Sequence, residues 1–437
     1  MSLPVQFGTD GIRGRYGDEI TADLAYRLGW AVASVFDLPV FVGYDTRESS
    51  PSLAAAVLGG LRDGGAEAIN LGLFTTPGVA VIARQRAGVG VVVSASHNPY
   101  YDNGLKVLGD GGAKLDPATE RAVTEALHRA PAPPRASFDE PAPDRTGEAE
   151  YAEHLRSLVK GDFSSLYVVL DCANGAASHV ARDLFASTGA LLTMMHDQPD
   201  GRNINEQCGS THVEDLAATV GRLGADLGLA FDGDADRMIA VDASGEVRDG
   251  DDLMVLFALD RARRDELGGG LVVTSMSNLG LHRALAGEHI DIIETDVGDR
   301  NVVMALEEAQ WSFGGEQSGH LIFRDLAPTG DGLLTGLLLC DLVVRRGPLG
   351  ELASAAWQRM PQRLINVARE QYDEVVVSQI FDELSAFYKV NGDDVRLIIR
   401  PSGTEPVVRV MIEGIDGDFV ESFSRRVQRF FHTSPSA

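Results

Sequence analysis

Several features that define other classes of protein are missing from this sequence. Its three cysteines, Cys172, Cys208 and Cys340, lie far apart and form no CxxC pair, which predicts reduced, mostly buried thiols rather than a disulfide framework or a cysteine metal site. No apolar run reaches about 18 residues, and the amino terminus has no basic segment followed by an apolar one. We therefore expect a cytoplasmic protein with no membrane partner.

Positive charge is also scarce. The 437 residues include 38 Lys and Arg against 64 Asp and Glu, which gives a formal net charge of −26. Such an acidic chain is poorly suited to binding nucleic acid or an anionic membrane over a large surface. Only four residues are lysines, and one of them, Lys106, lies inside a polar motif. Basic residues that cluster in motifs are therefore candidates for binding a small anion.

The length and the order of predicted elements indicate several domains. At 437 residues and 44% hydrophobic composition, the chain has room for roughly three or four domains of about 100 to 150 residues each. A unit of strand, polar loop, helix and strand recurs three times, starting at Val40, Leu166 and Leu271. This recurrence predicts three related α/β domains with mixed sheets.

Two changes in composition mark boundaries. Residues 130–149 are rich in proline, alanine and charge, which is typical of a surface linker. Beyond a second change near residues 359–366, the pattern predicts strands at 374–377, 395–400 and 407–412 and helices at 378–388 and from Asp418, hence a smaller, antiparallel C-terminal α+β domain. The predicted domain ranges, arranged around a central cleft, are 1–149, 150–247, 248–361 and 362–437.

The stretch from Ser94 to Lys106 places a dense polar loop directly after a buried strand. Residues 90–93 form the predicted strand, and polar side chains then follow almost without an apolar break. Open α/β sheets bind ligands at the carboxyl ends of their strands, so we expect this loop to display side chains to a ligand. A simple turn rich in Asn, Gly and Pro gives a similar pattern.

Two serines in this loop are candidates for chemistry. Ser94 and Ser96 lie two residues apart, so both side chains can face one side of an extended segment. Ser96 next to His97 suggests a hydrolase triad, but the GxSxG elbow is missing and adjacent side chains diverge in an extended segment. A serine that carries a phosphoryl group, held by a metal ion and by arginines, fits the other motifs better.

The motif FDGDADR at residues 231–237 predicts a metal site. It places Asp232, Asp234 and Asp236 at alternate positions after a buried strand. In an extended loop the three carboxylates would point the same way, and their mutual repulsion requires a cation. Oxygen ligands favour a hard divalent ion, Mg²⁺ in particular where a phosphate completes the shell. An EF-hand loop is a poor match, because its sixth position has Arg237 instead of Gly and its twelfth has Ala243 instead of Glu.

Two further motifs supply groups for a sugar and a phosphate. FGGEQSGH at residues 313–320 combines three glycines with polar side chains of the kind that bind sugar hydroxyls: Glu316, Gln317, Ser318 and His320. RPSGTEPVVRV at residues 400–410 predicts an anion cradle of hydroxyls, backbone amides and arginines: Arg400, Ser402, Gly403, Thr404 and Arg409. Each motif alone is also compatible with a plain turn, so these predictions depend on the four motifs together.

Nine motifs, in order over essentially the whole chain, resemble those of the α-D-phosphohexomutases. They are FGTDGIRG at residues 7–14, SASHNPYYDNGLK at 94–106, PDGRNINEQCGSTH at 199–212, FDGDADR at 231–237, VGDR at 297–300, GGEQSGH at 314–320, PTGDG at 328–332, PQRLINV at 361–367 and RPSGTEPVVRVMIEG at 400–414. Within that superfamily, the glutamine of GEQSGH resembles the branch that acts on glucosamine phosphates. The metal loop has Ala235 where many relatives have glycine, and this residue should not touch the metal.

The resemblance implies roles for residues near the serine. Ser96 would be the phosphoserine that donates and recovers the phosphoryl group. Mg²⁺ would be held by the Ser96 phosphate together with Asp232, Asp234 and Asp236. The residues expected around the reacting group are Arg13 near the phosphoserine, His97 as loop support, Lys106 in proton handling or phosphate contact, and Arg237 beside the transferring phosphoryl group.

The resemblance also implies the substrate contacts and the reaction. The sugar would be bound by Glu316, Ser318 and His320, and the phosphate that is not transferred by Arg400, Ser402, Gly403, Thr404 and Arg409. The implied reaction interconverts glucosamine 6-phosphate and glucosamine 1-phosphate through glucosamine 1,6-bisphosphate, which also acts as activator, and supplies amino-sugar nucleotide synthesis for cell-wall precursors. The family also favours a homodimer.

Three alternatives stay open. A phosphomannomutase or phosphoglucomutase would use the same motifs on another hexose. A phosphomonoesterase would also use a serine, a metal ion and a phosphate cradle. A non-catalytic sugar-phosphate sensor is less well supported, because a sensor does not require the Ser96 loop and the metal loop together.

Overall fold

A computed structural model describes residues 11–134, 137–368, 395–401 and 407–433. Within these ranges four β-sheets follow one another along the chain. The first three are combined with helices in α/β domains of mixed sheets, and the last is a smaller antiparallel sheet with a helix, so the predicted fold class is confirmed. Among the helices of the described ranges, none combines the length and the apolar character needed to cross a membrane.

The first domain is built on a five-stranded sheet of order β1-β5-β4-β2-β3. Its elements are β1 (Ile12–Arg15), α1 (Ala22–Val35), β2 (Val40–Tyr44), α2 (Ser50–Asp63), β3 (Ala68–Leu73), α3 (Thr76–Gln85), β4 (Val89–Val93), β5 (Asp102–Leu108) and α4 (Pro117–Arg129). β2 is parallel to β3 and β4, whereas β5 is antiparallel to β1 and β4. β4 is buried at every residue, as expected for a central strand covered by helices on both faces.

Local sequence explains how the first two helices begin and pack. Thr21 caps α1 as its position suggests, because its side chain accepts a hydrogen bond from the amide of Leu24 at 3.2 Å. α1 and α2 come into close contact at Gly60, where a Cβ atom would lie only 1.9 Å from the carbonyl oxygen of Tyr26. A larger residue at that position would force the two helices apart.

The second domain also has a five-stranded sheet, of order β10-β9-β8-β6-β7. Its elements are α5 (Thr146–Leu158), β6 (Tyr167–Asp171), α6 (Ala177–Ala186), β7 (Leu191–Met195), α7 (Glu214–Leu223), β8 (Leu227–Phe231), β9 (Met238–Asp242) and β10 (Val247–Arg248). β6 is parallel to β7 and β8, and the pairs β8/β9 and β9/β10 are antiparallel. The acidic motif occupies the turn between β8 and β9.

The third domain has a four-stranded sheet of order β12-β11-β13-β14. Its elements are α8 (Gly250–Arg263), β11 (Leu271–Thr274), α9 (Leu279–Gly287), β12 (Ile292–Thr295), α10 (Asp299–Ala309), β13 (Phe313–Gly315), β14 (Leu321–Phe323), α11 (Gly332–Arg346) and α12 (Leu349–Ala356). β11 is parallel to β12 and β13, and β13 and β14 form an antiparallel pair around the sugar motif.

The predicted recurring unit is present in all three domains. β2–α2–β3, β6–α6–β7 and β11–α9–β12 are each a strand, a polar loop, a helix and a parallel strand that lies at the edge of its sheet. The sequence pattern therefore identified the repeated element correctly, because a parallel pair needs a crossover helix of this kind.

The C-terminal domain consists of an antiparallel sheet of order β15-β17-β16 and one described helix. Its elements are β15 (Gln362–Ala368), β16 (Val395–Pro401), β17 (Val407–Gly414) and α13 (Gly417–Thr433). The strand and helix predicted at 374–377 and 378–388 lie outside the described residues. Apolar side chains of α13, including Phe423 and Val427, pack on the sheet to form a separate small core.

One apolar core joins the first three domains. It includes Phe74 of the first domain, Phe185 of the second and Phe323 of the third, all buried. The three cysteines are buried and free, as predicted. The C-terminal domain has its own core, and it makes polar contacts with the third domain, among them the ion pair of Arg396 with Glu294 at 3.0 Å.

Two sequence expectations were wrong in part. The polar stretch from Ser94 to Lys106 is not one loop, since β5 begins at Asp102 and pairs with β4. The predicted surface linker 130–149 contacts the first domain, since the Phe138 ring stacks on the Tyr26 ring at a centroid distance of 5.2 Å. Its last residues, from Thr146, belong to α5. Periodicity did not reveal the Phe138 contact because a single side chain makes it, and it missed the start of β5 because Asp102, Asn103 and Gly104 are polar or small residues.

Candidate active site

The predicted motifs meet at the carboxyl ends of several strands. The loops involved follow β4, β8, β12 and β13. The contacts between them are Ser96 with Asp232, His320 with Asp236, and Glu316 with Gly298. These loops come from all three α/β domains, so the site exists only when the three domains are packed together.

Ser96 lies at the centre of this site. Its hydroxyl donates a hydrogen bond to Asp232 Oδ2 at 2.5 Å, and its oxygen lies 3.3 Å from His97 Nδ1. Its φ of 53° is in the left-handed region, a conformation that costs about 1–3 kcal/mol in a residue other than glycine. Ser94 Oγ accepts a hydrogen bond from the Ser96 amide at 2.9 Å and donates one to Asp45. Ser94 therefore fixes the backbone, and Ser96 presents its hydroxyl.

Arg47 holds the serine loop from inside, a role that the sequence analysis missed. The side chain is fully buried, and its guanidinium donates hydrogen bonds to four backbone carbonyl oxygens of the loop, those of Ser96, Asn98, Pro99 and Asp102. Asp45 accepts a further hydrogen bond from Arg47 Nε at 2.9 Å. The available signal was a single arginine in the polar loop of the first recurring unit.

The second domain also contacts the serine loop. Asn205 Nδ2 donates hydrogen bonds to the carbonyl oxygens of Ser96 and Asn98 at 2.9 and 3.1 Å. Asn205 itself has a φ of 57°, in the left-handed region. The motif at 199–212 was recognised only as part of the resemblance, and no role in loop positioning was predicted for it.

The three aspartates converge through a turn, not through an extended segment as expected. Each of Asp232, Asp234 and Asp236 is buried, and one carboxylate oxygen of each lies within 4.8 Å of the others. The Ala235 amide donates a hydrogen bond to the Asp232 carbonyl oxygen at 3.1 Å, and Ala235 has a φ of 60°. A left-handed conformation favours glycine, so Ala235 adopts it at a cost in backbone strain.

The acidic turn fits a metal ion. Burial, together with the charges of Asp236 and Asp234, raises the pKa of Asp232 well above its usual value. Asp234 Oδ1 is buried and has no hydrogen-bond partner in the part of the chain that the structure describes. Three buried carboxylates with a free oxygen can hold a hard divalent cation, which would relieve their repulsion.

Cations surround the serine as well. Lys106 Nζ lies 2.7 Å from Asp234 Oδ2 and 3.4 Å from Asp236 Oδ2. Burial, followed by the positive charges of Arg237 and Arg13, lowers the pKa of His97 to about 3, so this imidazole is neutral at pH 7. The structure thus brings Arg13, Lys106 and Arg237 near Ser96, an environment that suits a phosphoryl group.

The sugar motif faces the acidic turn through His320. His320 Nδ1 lies 3.6 Å from Asp236 Oδ1, and Nε2 lies 3.9 Å from Asp299 Oδ2. Burial lowers the pKa of His320, but hydrogen bonding to Asp236 and the charges of Asp236, Asp299 and Glu316 outweigh it and raise the pKa to about 9. Glu316 Oε1 accepts a hydrogen bond from the Gly298 amide at 3.0 Å, and Ser318 lies beside Glu316.

The side-chain amide of Gln317 makes its hydrogen bond on the side away from the acidic turn. Its Nε2 donates a hydrogen bond to Asp251 Oδ2 at 3.1 Å, on the first turn of α8. The Gln317 side-chain nitrogen is thus bonded within the protein, and the sugar contact of the motif stays a prediction for Glu316, Ser318 and His320. The spacing of the motif does not reveal which side chain turns toward the protein.

Arg400 and Arg409 lie opposite each other in the antiparallel register of β16 and β17. Burial and then the charge of Arg409 lower the pKa of Arg400, whereas Glu316 and Asp296 raise it. Arg400 Nε is buried without a hydrogen-bond partner among the described residues. Two adjacent guanidinium groups beside the sugar motif favour an anion. Ser402, Gly403 and Thr404 lie outside the described residues, so their assignment stays a prediction.

Asp171, His196 and Cys208 form a second group of side chains of metal-ligand type. Both oxygens of Asp171 accept backbone amide hydrogen bonds at 2.9 Å, one from Ala173 and one from Gly209. Hydrogen bonding to Asp171 also raises the pKa of His196. These contacts tie loops of the second domain together, and we assign the group a structural role.

Four family descriptions match consecutive segments of the chain. Phosphoglucomutase/phosphomannomutase, alpha/beta/alpha domain I, matches residues 4–133, and domains II and III of the same family match residues 149–245 and 249–360. The C-terminal domain of the family matches residues 364–429. Together these segments include nearly the whole chain.

Curated proteins are similar over almost their full length. The phosphoglucosamine mutase of Rhodococcus opacus is 44% identical over 426 residues, which cover 94% of this chain and 95% of the relative. The phosphoglucosamine mutase of Shouchella clausii is 41% identical over 433 residues, with 96% and 97% covered. The phosphoglucosamine mutase of Acetivibrio thermocellus is 43% identical over 434 residues, with 95% and 96% covered.

Solved structures share the fold. A phosphoglucomutase/phosphomannomutase family protein from Burkholderia thailandensis superposes with a TM-score of 0.82 at 25% identity, covering 99% of both chains. An N-acetylphosphoglucosamine mutase of Aspergillus fumigatus, solved with GlcNAc-6P and magnesium, superposes with a TM-score of 0.66 at 20% identity, covering 97% of this chain and 95% of the other.

Proposed function

The chain belongs to the phosphoglucomutase/phosphomannomutase family, with phosphoglucosamine mutases as relatives over almost its whole length, and from this premise we propose that it interconverts glucosamine 6-phosphate and glucosamine 1-phosphate. It is an enzyme of the phosphohexomutase type, an isomerase. The proposed route uses a phosphorylated Ser96 and glucosamine 1,6-bisphosphate as intermediate and activator.

The observation that carries this route is the contact between Ser96 Oγ and Asp232 Oδ2 at 2.5 Å. It places a nucleophilic oxygen beside three buried carboxylates and three cations. A hydrolase triad is disfavoured, because His97 has no carboxylate among its hydrogen-bond partners in the described ranges and its pKa of about 3 makes it a weak base.

In the first proposed step, the O1 hydroxyl of glucosamine 6-phosphate attacks the phosphorus of phosphorylated Ser96. The bond between phosphorus and O1 forms, the bond between phosphorus and Oγ breaks, and the hydroxyl proton ends on Ser96 Oγ, which can then donate to Asp232. Asp234 keeps Lys106 in an ion pair at 2.7 Å, so contact with the phosphoryl group is favoured for Lys106 over proton uptake. Arg237 and Arg13 would offset the charge of the group in transfer.

Asp232, Asp234 and Asp236 would hold a divalent ion, for which we propose Mg²⁺. When bound, such an ion neutralises charge on the phosphoryl oxygens.

In the second step the bisphosphate turns, and Ser96 Oγ attacks the phosphorus of its 6-phosphate. The bond between phosphorus and Oγ forms, the bond between phosphorus and O6 breaks, and the serine proton ends on O6, which leaves glucosamine 1-phosphate. The sugar would be held by Glu316, Ser318 and His320, whose imidazolium form, favoured by a pKa of about 9, can donate to a hydroxyl. Arg400 and Arg409 would bind the phosphate that is not in transfer, in both orientations of the sugar. A domain with its own small core is suited to close over the intermediate and keep water out.

The decisive test replaces Ser96. Ser96→Ala removes the oxygen that carries the phosphoryl group, so formation of glucosamine 1-phosphate from glucosamine 6-phosphate, with the 1,6-bisphosphate as primer, should be lost. Ser157→Ala, at an exposed serine of α5, is the matched control and should retain the wild-type rate. Intact-mass measurement of both variants after incubation with the bisphosphate checks where the phosphoryl group is attached. A near-normal rate in Ser96→Ala would refute the route.

A second assay separates the alternatives. Glucosamine 6-phosphate, glucose 1-phosphate and mannose 1-phosphate are compared at equal primer concentration, and free phosphate is measured in parallel. Faster turnover of a neutral hexose would favour a phosphomannomutase or phosphoglucomutase. Release of free phosphate would favour a phosphomonoesterase, and binding without turnover a sensor. A cytoplasmic location and a homodimer remain predictions.

A further inference from the structure

Gln317 anchors the sugar motif to the start of α8. Its backbone carbonyl oxygen accepts a hydrogen bond from the Gly250 amide at 3.0 Å, and its side-chain amide donates one to Asp251 Oδ2 at 3.1 Å. The two segments approach so closely that a Cβ atom at Gly250 would lie 2.0 Å from the Glu316 carbonyl oxygen. The position of Glu316 and Ser318 therefore depends on the first turn of α8.

The same oxygen of Asp251 has a second partner in another segment. Asp251 Oδ2 accepts a hydrogen bond from the backbone amide of Asn278 at 3.0 Å, and both residues are fully buried. Asp251 Oδ1 has no hydrogen-bond partner in the described ranges. One buried carboxylate oxygen thus joins the sugar motif to Asn278, the residue that caps α9.

Asn278 is one of the points at which the C-terminal domain is attached to the third domain. Its Oδ1 accepts a hydrogen bond from the Met360 amide at 2.9 Å, and its Nδ2 donates one to the Met360 carbonyl oxygen at 3.0 Å, directly before β15. The adjacent amide of Leu279 donates to Glu413 Oε1 of β17 at 2.8 Å. These bonds hold the start of α9 against the sheet that carries Arg400 and Arg409.

We propose that Asp251 is a positioning residue that couples the sugar-binding loop to the start of α9, where the C-terminal domain is attached. Its shared oxygen would fix the relative position of two parts of the substrate site, the loop at Glu316 and Ser318 and the arginine pair of β16 and β17. The inference deepens the proposed function and rests on it for the identity of the loop as a sugar contact. The coupling itself is a property of the fold and can be measured without substrate.

The first experiment measures the coupling by hydrogen exchange. Gln317→Met removes the donor to Asp251 at nearly constant volume and touches nothing in the C-terminal domain. The expected result is faster amide exchange, by about 3- to 10-fold, in peptides that cover Asn278 and Met360, because the Asp251 carboxylate loses one of the two donors that hold it in place beneath Asn278. Gln85→Met, at an exposed glutamine at the end of α3, is the control and should leave these peptides unchanged. Faster exchange confined to residues 314–321 would overturn the proposal.

The second experiment uses steady-state kinetics. Asp251→Asn retains an oxygen that can accept from both partners, so kcat/KM for glucosamine 6-phosphate should stay within about 2-fold of the wild type. Asp251→Ala and Gln317→Met should lower kcat/KM by about 3- to 10-fold, with a raised KM, since the relative position of the sugar loop and the phosphate site is no longer fixed. Equal losses in Asp251→Asn and Asp251→Ala would contradict the role of the shared oxygen.

The two readouts separate failure of the inference from failure of the proposed function. If the wild type lacks mutase activity, the proposed function is wrong, and the exchange result for Gln317→Met still decides the coupling. If Asp251→Ala does not fold, Gln317→Met supplies both measurements. If activity is normal and exchange near Asn278 does not respond, only the inference is refuted.

Discussion

Asp331 shows what burial does to one carboxyl group in this molecule. The side chain caps α11 by accepting a hydrogen bond from the Leu334 amide at 2.9 Å, and the Tyr151 hydroxyl donates another at 2.8 Å. Burial raises the pKa of Asp331 to about 6, and these hydrogen bonds offset only part of the effect. The neutral form is therefore favoured in the folded chain relative to the unfolded chain.

This shift predicts a pH-dependent gain in stability for Asp331→Asn. The unfolded pKa is about 3.9, so the wild type binds more protons when folded and loses stability as pH rises from about 4 to about 6. Asn is an equally good helix cap without a charge. The stability of the variant relative to the wild type should therefore rise over this window, by up to about 2–3 kcal/mol, and stay constant above it.

Urea unfolding of both proteins between pH 4 and pH 7 checks this prediction, and the range is extended down to about pH 2 for the control. Asp144→Asn is a control of opposite sign. Hydrogen bonds from Arg86 and Thr146 lower the pKa of Asp144 to about 2, so its contribution is present above the unfolded pKa and is lost as pH falls toward the folded one. A stability difference for Asp331→Asn that does not change with pH would rule out the assigned shift.

At the scale of elements, the serine loop between β4 and β5 depends on a side chain from another loop. Arg47 follows β2, and it satisfies carbonyl oxygens along the turn that carries Ser96. A loop with a residue in the left-handed region needs such support, since the strained conformation persists only when its surroundings fix it. The conformation of Ser96 is therefore set by the packing of two neighbouring βα loops.

Arg47→Met should release this loop. Methionine keeps much of the volume but removes the cationic partner of buried Asp45 and the guanidinium hydrogen bonds to the Pro99 and Asp102 carbonyl oxygens. This predicts a loss of about 3–5 kcal/mol in unfolding free energy and at least ~100-fold in kcat. Arg47→Lys retains the charge with fewer donors and should give a smaller loss in both quantities.

Chemical unfolding and mutase kinetics measure these effects. Arg202→Met, at an exposed arginine that hydrogen-bonds Glu48, is the matched control and should change neither quantity appreciably. Unchanged kcat in Arg47→Lys and Arg47→Met alike would show that the loop is positioned without the buried guanidinium.

At the scale of the whole molecule, the acidic turn joins two domains. Ser96, Thr76 and Lys106 of the first domain all contact aspartates of the second. The first three domains share one apolar core, whereas the C-terminal domain has a separate one and makes polar contacts with the third domain at Asn278 and through Arg396 with Glu294. A ligand of the acidic turn should therefore stabilise the three-domain body as a unit.

Metal removal tests this expectation. Adding Mg²⁺ should raise Tm, because an ion that binds only the folded chain stabilises it by about 2.7 kcal/mol at a concentration of 100 Kd. A chelator should reverse the shift and abolish turnover, and Asp234→Asn should lose both responses. Full turnover in the presence of chelator would contradict a role for the metal.

Much of the fold and part of the site follow from local sequence. Continuous apolar runs define β4 and β8, Thr21 marks the start of α1, and the recurring strand–loop–helix–strand pattern identifies three parallel units. These features depend on a few neighbouring residues. The same holds for the prediction that Ser96 and the three aspartates are candidates for phosphoryl transfer and metal binding. The sequence by itself therefore determined the fold class, the four motifs and the kind of chemistry they can perform.

Only the tertiary structure decided which groups meet. Ser96 and Asp232 are 136 residues apart in the chain, and Arg47 reaches the serine loop across 49 residues. The turn at Ala235, the inward direction of Gln317 and the link through Asp251 are likewise invisible to periodicity. The physical reason is that such contacts depend on how three sheets pack around one core and on which buried polar group must find a partner there, and neither is set by nearest neighbours in sequence.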